Sequence, residues 1–262
     1  MADECKPLAR NILHIAPFAV DSRVVTLGLR WRRQTLALLS GALCDAALWR
    51  HQIAGLSDFA DVRVADLTRD DNIAAMAART LAGLPPQFAL AGLSLGGYVA
   101  LEIMRRAPGR VTKLALLDTT ARPGDKGEEA FAEPVTGATE RRAEQVGLFT
   151  TLLIHPKRLA DRRLSAILGA MAERVGRKAF LRQQRAAVRR PDSRPGLAAI
   201  RCPTLLICGR QDPLAPPALL EEMASAIPGA QLLIIEDCGH LSPLEQPEVV
   251  TAALRRWLQS AQ

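Results

Sequence analysis

The sequence predicts an α/β fold with a mostly parallel, doubly wound sheet, and three observations lead to this prediction. Short apolar runs alternate with amphipathic runs along most of the 262 residues. A glycine-rich turn at residues 92–97 joins an apolar run directly to a helix pattern. A helix-patterned segment at 121–198 interrupts the alternation once. Because alternating strands and helices cover both faces of a parallel sheet, we expect one core from residues 1–120 and 199–262, with 121–198 inserted as a helical segment.

The elements follow in order along the chain. Residues 1–33 have no clear pattern, because the run RWRR at 30–33 interrupts what would be the first hairpin. Asp70 or Asp71 is expected to cap the second helix. Beyond residue 33 the apolar runs predict strands at 34–39, 61–67, 87–93, 111–117, 203–208 and 231–235, and the amphipathic runs predict helices at 46–59, 72–83, 97–106, 217–227 and 247–259.

Composition predicts a globular protein without a membrane span or a metal site. Hydrophobic residues make up 48% and charged residues 23% of the chain, as in globular proteins. No apolar run reaches the roughly 18 residues of a membrane span, and the acidic start at residues 1–4 is unlike a signal peptide. The five cysteines are odd in number and lack metal-ligand spacing, so we expect buried thiols in a reducing cytoplasm. No metal or organic cofactor is expected.

The hexapeptide GLSLGG at 92–97 predicts a nucleophilic serine. It lies between a predicted strand and a predicted helix, which is the context that gives a G-x-S-x-G motif its meaning. Gly92 and Gly96 remove side chains that would collide in so sharp a turn, and Ser94 is then exposed at a helix N-terminus. An ordinary turn rich in small residues is the alternative, so partners for the serine decide between the two.

His240 and Asp212 are the predicted partners of Ser94. A serine hydroxyl needs a general base, and the base needs a carboxylate to orient it. His240 follows the predicted strand 231–235, and Asp212 follows the strand 203–208, so both lie at the carboxyl edge of the sheet. Asp212 taken alone would be a turn residue before Pro213. The other three histidines, at positions 14, 51 and 155, lack this placement.

These motifs, together with LLSGA at 38–42 and GRQD at 209–212, resemble those of small, lidded α/β-hydrolase fold proteins from about residue 34 onward. The resemblance implies the chain order nucleophile, acid, base, and a lid after the sixth strand of the fold. It also implies an oxyanion hole made by the backbone N–H groups of Leu95 and Ala42, with Leu43 as the alternative to Ala42. Many relatives have His-Gly where this chain has Ser40-Gly41, which leaves the backbone donor in place.

The resemblance implies a hydrolase of small carboxylic esters that acts through an acyl-enzyme. Relatives with this layout also include enol-lactonases and C–C bond hydrolases of aromatic catabolism, cofactor-free haloperoxidases and pimeloyl-acyl-carrier methyl esterases, so the substrate stays open. A non-catalytic binder on the same fold is a further alternative, against which the complete set Ser94, Asp212 and His240 argues.

The predicted lid is strongly basic. Residues 121–198 contain sixteen Lys and Arg against nine Asp and Glu, and this excess of seven equals the net charge of the whole chain. A solvated helical surface is one interpretation. The other is a basic funnel for an anionic substrate or an acidic carrier protein, with Arg182, Arg185 and Arg189 on one helix face. Nucleic acid is not expected as a partner, because aromatic residues make up only 4% of the chain.

Overall fold

A computed structural model describes residues 33–124 and 153–260 of the chain. Within them a single six-stranded sheet has the order β2-β1-β3-β4-β5-β6, and every neighbouring pair is parallel. The predicted doubly wound parallel sheet is confirmed. The strands are β1 Gln34–Leu39, β2 Ala60–Val64, β3 Phe88–Leu93, β4 Val111–Leu117, β5 Thr204–Gly209 and β6 Gln231–Ile235.

The described helices cover both faces of this sheet. Those before β4 include a 3₁₀ turn Ala46–Trp49, α1 Arg50–Leu56, α2 Ile73–Ala82 and α3 Leu95–Arg106, and those between β4 and β5, in the predicted insertion, include α4 Arg162–Val188 and α5 Arg194–Leu197. They are followed by α6 Pro217–Ala226, α7 Ser242–Glu245 and α8 Pro247–Gln259. Apolar residues of α1 and α8 pack on one face and those of α2, α3 and α6 on the other. The central strands β3 and β5 are therefore buried along their whole length, as apolar strands covered on both sides must be.

The start of α2 differs from the prediction. Asn72, in extended conformation, caps this helix by accepting a hydrogen bond at Oδ1 from the N–H of Ala75 (2.8 Å). Asp70 instead forms a bidentate ion pair with Arg79, at 2.7 and 2.9 Å. The prediction of Asp70 or Asp71 as the cap was wrong, because the carboxylate has a stronger partner in the guanidinium than in a helix N–H.

The segment between β4 and β5 is helical where the structure describes it. Asp161 caps α4 by accepting hydrogen bonds from the N–H groups of Arg163 and Leu164. Gly176, at φ 74° and ψ 161°, divides α4 into two helical halves. The limits 121–198 for the lid stay a prediction, since residues 125–152 lie outside the described part, as do residues 1–32. None of the described helices is long and apolar enough to cross a membrane.

Candidate active site

Ser94 lies on a strained turn between β3 and α3. Its backbone has φ 54° and ψ −118°, in the positive-φ region that costs a non-glycine residue about 1–3 kcal/mol. The turn is so tight that a Cβ on Gly92 would lie 2.3 Å from the Gly96 carbonyl oxygen. A Cβ on Gly96 would lie 2.2 Å from the Leu39 oxygen. Only glycine fits at these two positions, which explains the spacing of the motif.

The end of β4 holds the backbone of Ser94 in place. The Ser94 N–H donates to the Leu117 oxygen (3.0 Å). The Ser94 carbonyl accepts from the Thr119 hydroxyl (2.9 Å) and from the Gly97 N–H (2.8 Å). The conformation of the serine is thus fixed from two elements, while its residue remains partly exposed.

His240 and Asp212 form a buried hydrogen-bonded pair, with 2.8 Å between His240 Nδ1 and Asp212 Oδ2. Asp212 follows β5, and its other oxygen accepts from the N–H groups of Leu214 and Ala215, so the carboxylate is also the turn residue expected before Pro213. The pair brings together two of the three predicted residues. In the described residues Ser94 Oγ has no hydrogen bond to His240, and the contact between them stays part of the proposal.

Electrostatics favours the charged forms of both partners. Burial lowers the pKa of His240, but the adjacent Asp212 carboxylate more than offsets it, and the pKa lies above its ordinary value. Burial raises the pKa of Asp212, but the charge of His240 and the hydrogen bonds to the carboxylate outweigh it, and the pKa is lowered. A histidine with its Nδ1 bound to a carboxylate presents Nε2 as the proton acceptor.

Asp118, at the end of β4, connects the segments that follow β5 and β6 to the turn that carries Ser94. It is fully buried at φ 45°. Its Oδ1 accepts from the Gly209 N–H (2.9 Å), and its Oδ2 accepts from the Ser242 hydroxyl. The residues on either side of Asp118 are the two that hold Ser94. Burial, reinforced by the negative charge of Asp212, raises the pKa of Asp118 well above its ordinary value.

Asp118, Cys208 and Asp212 offer three potential metal-ligand atoms within 4.8 Å of one another. All four carboxylate oxygens of the cluster are already hydrogen-bonded, as given above. The Cys208 thiol donates to the carbonyls of Gly209 and Ala215. Hydrogen bonding within the protein therefore accounts for the cluster, and we assign no metal to it.

Glu245 holds the loop that carries His240, a role that no motif in the sequence indicates. Its buried carboxylate accepts three backbone N–H groups, from His155 (2.7 Å), Gly239 (3.1 Å) and Leu241 (3.2 Å). The His240 N–H donates to the Leu153 oxygen (2.8 Å). Residues 153–155 precede α4, so the insertion and the histidine loop are joined here.

The loop after β1 contains the expected oxyanion donors. Trp49 Nε1 donates to Ser40 Oγ, which in turn donates to the Asp45 carbonyl, so the loop is closed by side chains. The Leu43 N–H donates to Gln183 Oε1 (3.1 Å) and is therefore already bound. The Ala42 N–H remains as the candidate from this loop. Leu95 begins α3, where an N–H has no partner within the helix.

The other described histidines have structural partners. Nδ1 of the buried His155 accepts from the Lys157 N–H. His51 is partly exposed, and its Nε2 accepts from Arg50. Burial and the charge of Arg50 lower the pKa of His51. His14 lies outside the described residues.

The comparison with known proteins agrees with this geometry. A model of the alpha/beta hydrolase family matches residues 16–253. The chain belongs to the alpha/beta hydrolase family. The resemblance seen in the sequence is thereby confirmed.

Three similar proteins illustrate the range of this hydrolase's relatives. A pimeloyl-[acyl-carrier protein] methyl ester esterase of Aromatoleum aromaticum is 31% identical over 178 residues, which cover 63% of this chain and 71% of the esterase. The solved structure of a thermophilic esterase from Thermogutta terrifontis has a TM-score of 0.75 at 30% identity, covering 86% of this chain and 89% of that one. An enol-lactonase from Burkholderia xenovorans has a TM-score of 0.79 at 22% identity, covering 89% and 94%, and shows the fold alone.

Proposed function

We propose that this hydrolase cleaves small carboxylic esters through an acyl-enzyme, with Ser94 as the nucleophile, His240 as the base and Asp212 as the acid that orients it. The observation that carries the proposal is the buried 2.8 Å pair of His240 and Asp212. The pair follows β5 and β6 at the sheet edge where the strained Ser94 turn follows β3. The two similar proteins described above at 30% identity or more are named as esterases, which supports the reaction class.

In the proposed reaction, His240 Nε2 takes the proton of Ser94 Oγ as that oxygen bonds to the ester carbonyl carbon. The carbonyl oxygen becomes an oxyanion, held by the N–H groups of Ala42 and Leu95. The imidazolium returns its proton to the alkoxy leaving group as the ester C–O bond breaks. Water, deprotonated by His240, then attacks the acyl-serine and releases the carboxylic acid. The scheme uses no metal and no organic cofactor.

Charge on the insertion favours an anionic ester as the substrate. Arg185 and Arg189 are exposed near the end of α4. Arg182, predicted to share their face, donates both Nε and a terminal nitrogen to the Thr68 carbonyl and is partly buried. The name of the Aromatoleum relative includes a methyl ester on an acyl-carrier protein. A carrier protein is the other kind of partner that the basic charge of residues 121–198 was predicted to favour. A small-molecule half-ester of a dicarboxylic acid is the simplest probe of this preference.

The compartment stays a prediction. The four cysteines that the structure describes, at positions 44, 202, 208 and 238, are free thiols. Free thiols fit the reducing cytoplasm expected from the sequence. Localisation of a tagged full-length chain would check it.

The test combines hydrolysis with active-site labelling. Wild type, Ser94→Ala, His240→Ala and Asp212→Asn are assayed on p-nitrophenyl esters from C2 to C12 and labelled with a fluorophosphonate. We expect Ser94→Ala and His240→Ala to lower kcat by about 10⁴–10⁶, and Asp212→Asn to lower it less. Ser225→Ala removes an exposed hydroxyl on α6 and serves as the matched control.

The outcomes of this test distinguish the proposed esterase from the other functions open to this fold. More than a tenth of the wild-type turnover in Ser94→Ala would refute the assignment of the nucleophile. A lactone and a ring-cleavage dienone in the same panel separate an esterase from a lactonase or a C–C hydrolase. A wild-type chain that neither hydrolyses nor takes the label would be a binder on this fold.

A further inference from the structure

A buried amide from the insertion contacts the loop that is proposed to supply an oxyanion donor. Gln183 lies on the second half of α4, and its residue is 1% exposed. Its Oε1 accepts from the Leu43 N–H (3.1 Å), and its Nε2 donates to the Leu67 carbonyl (3.3 Å). An acceptor facing an N–H and a donor facing a carbonyl fix the orientation of this amide.

The partner of Gln183 is a strained residue of a tight turn. Leu43 has φ 57°, and the Cys44 N–H donates to the Gly41 carbonyl (3.2 Å) to close the turn around Ala42 and Leu43. Gly41 lies against the nucleophile, because a Cβ placed on it would be 3.1 Å from Leu93 Cδ2 and 3.4 Å from Ser94 Cβ. The turn therefore lies beside the serine, and its conformation decides which N–H faces the reacting carbonyl.

A second contact joins the same loop to the other half of the helix. Arg174 forms a bidentate ion pair with Asp45, at 2.6 and 3.2 Å. Gly176, with its positive φ, separates Arg174 from Gln183. Each half of α4 thus holds one end of the segment from Leu43 to Asp45.

We propose that Gln183 is a positioning residue for the oxyanion hole: by binding the Leu43 N–H it fixes the turn from Gly41 to Cys44, so that the Ala42 N–H, in the preceding peptide of that turn, faces the substrate carbonyl. The bond to Gln183 occupies the Leu43 N–H and stabilises the positive φ of Leu43. Without it, the peptide between Ala42 and Leu43 is free to rotate, the turn can open, and the neighbouring Gly41–Ala42 peptide, which carries the Ala42 N–H, loses its fixed direction. Since an oxyanion donor acts on charge formed in the transition state, its misplacement lowers kcat more than it changes KM.

This inference rests on the proposed ester hydrolysis, and the experiment keeps the two apart. Gln183→Met removes both hydrogen bonds of the amide and keeps the length of the side chain. Arg182→Met, one residue earlier, removes the contact to Thr68 and leaves the oxyanion loop untouched. Gln183→Glu is the conservative variant, because a carboxylate oxygen still accepts from the Leu43 N–H.

Steady-state kinetics on one p-nitrophenyl ester are measured beside inhibition by an alkyl boronic acid, which forms a tetrahedral adduct, and by the product carboxylate. We expect Gln183→Met to lower kcat about 10- to 100-fold with KM within about threefold, less than the full loss of a donor. Boronate inhibition should weaken in parallel, and carboxylate inhibition should not. Gln183→Glu should retain more kcat than Gln183→Met, and Arg182→Met should stay within about threefold of wild type.

The results distinguish all the alternatives. If Gln183→Met keeps the wild-type kcat, or if Arg182→Met loses as much as Gln183→Met, the positioning role is wrong and the contact only attaches the insertion. If Gln183→Met is unfolded by circular dichroism, Gln183→Glu decides: a kcat that falls while boronate inhibition keeps its wild-type strength overturns the proposal. If wild type shows no hydrolysis that depends on Ser94, the proposed function itself fails.

Discussion

Replacing Glu245 by glutamine tests how the loop that carries His240, the proposed base, is held. The wild-type carboxylate accepts the N–H of His155 on one oxygen, and those of Gly239 and Leu241 on the other. Glutamine has nearly the same shape but only one acceptor oxygen. In its better orientation the amide keeps Gly239 and Leu241 and turns its NH₂ group toward the N–H of His155.

The contacts of Glu245 determine how much stability the substitution removes. One buried N–H without an acceptor costs about 1–3 kcal/mol. Burial raises the pKa of Glu245, even though its three N–H donors lower it, so removing the charge recovers part of this loss. A loss of about 1–2 kcal/mol lowers the Tm of a chain of this size by about 2–8 °C. Alanine at this position would leave three N–H groups unsatisfied, about 3–9 kcal/mol, which is comparable to the whole stability of a domain.

Calorimetric Tm at pH 7 measures the effect of Glu245→Gln on stability, and the pH dependence of kcat/KM measures its effect on the proposed base, His240. The charge of Glu245 helps to raise the pKa of His240, so Glu245→Gln should shift the acid limb of the profile to lower pH. Glu248→Gln makes the same chemical change at an exposed position of α8 and is the control. If Glu245→Gln melts within about 1 °C of wild type and of Glu248→Gln, the three N–H bonds do not stabilise the loop and the reasoning is refuted.

Three further predictions follow from the charges of the site. The kcat/KM of wild type should rise with pH through one apparent pKa above the ordinary ~6.5 of histidine, because Asp212 raises the pKa of His240 and the proposed base must be neutral. A flat pH profile or a lower apparent pKa would contradict this prediction. Asp118→Asn should raise Tm at pH 7. Burial raises the pKa of Asp118, so the wild type loses stability as the pH rises toward that raised pKa, and asparagine carries no charge to bury. The gain should shrink toward pH 4, and a gain independent of pH would be evidence against a raised pKa. Arg185→Gln with Arg189→Gln should lower kcat/KM about two- to fivefold for a dicarboxylate half-ester at low salt and leave its neutral analogue unchanged. An equal effect on both esters, insensitive to 1 M salt, would leave these arginines as a solvated surface.

The sequence predicted the sheet well because its strands carry a strong local signal. Strands Gln34–Leu39, Val111–Leu117 and Gln231–Ile235 were predicted to the residue. Each contains a short apolar run with polar or turn-forming residues beside it, which is the pattern of a strand in a parallel sheet covered by helices. The start of α2 was missed because three consecutive residues, Asp70, Asp71 and Asn72, are all good caps and only tertiary contacts choose among them.

The site was predictable where chain order implies proximity and unpredictable where it does not. Asp212 and His240 end neighbouring parallel strands, so their contact followed from the fold. Glu245 and Gln183 are buried polar residues, and each binds a residue distant in sequence: His155 is 90 residues from Glu245, and Leu43 is 140 residues from Gln183. No local pattern distinguishes such residues from the polar face of a surface helix, and only the packed structure reveals them.

The buried thiols have a practical consequence for chemical probes of this hydrolase. Burial raises the pKa of Cys44, beside the proposed oxyanion donor, to about 12. It likewise raises the pKa of Cys208 and Cys238. A thiol that stays protonated is a poor nucleophile, so an electrophilic inhibitor entering near Ser94 meets no competing thiolate among these three. Burial also raises the pKa of Cys202, the one partly exposed cysteine in the described part of the chain, so labelling at this thiol calls for a pH above neutrality.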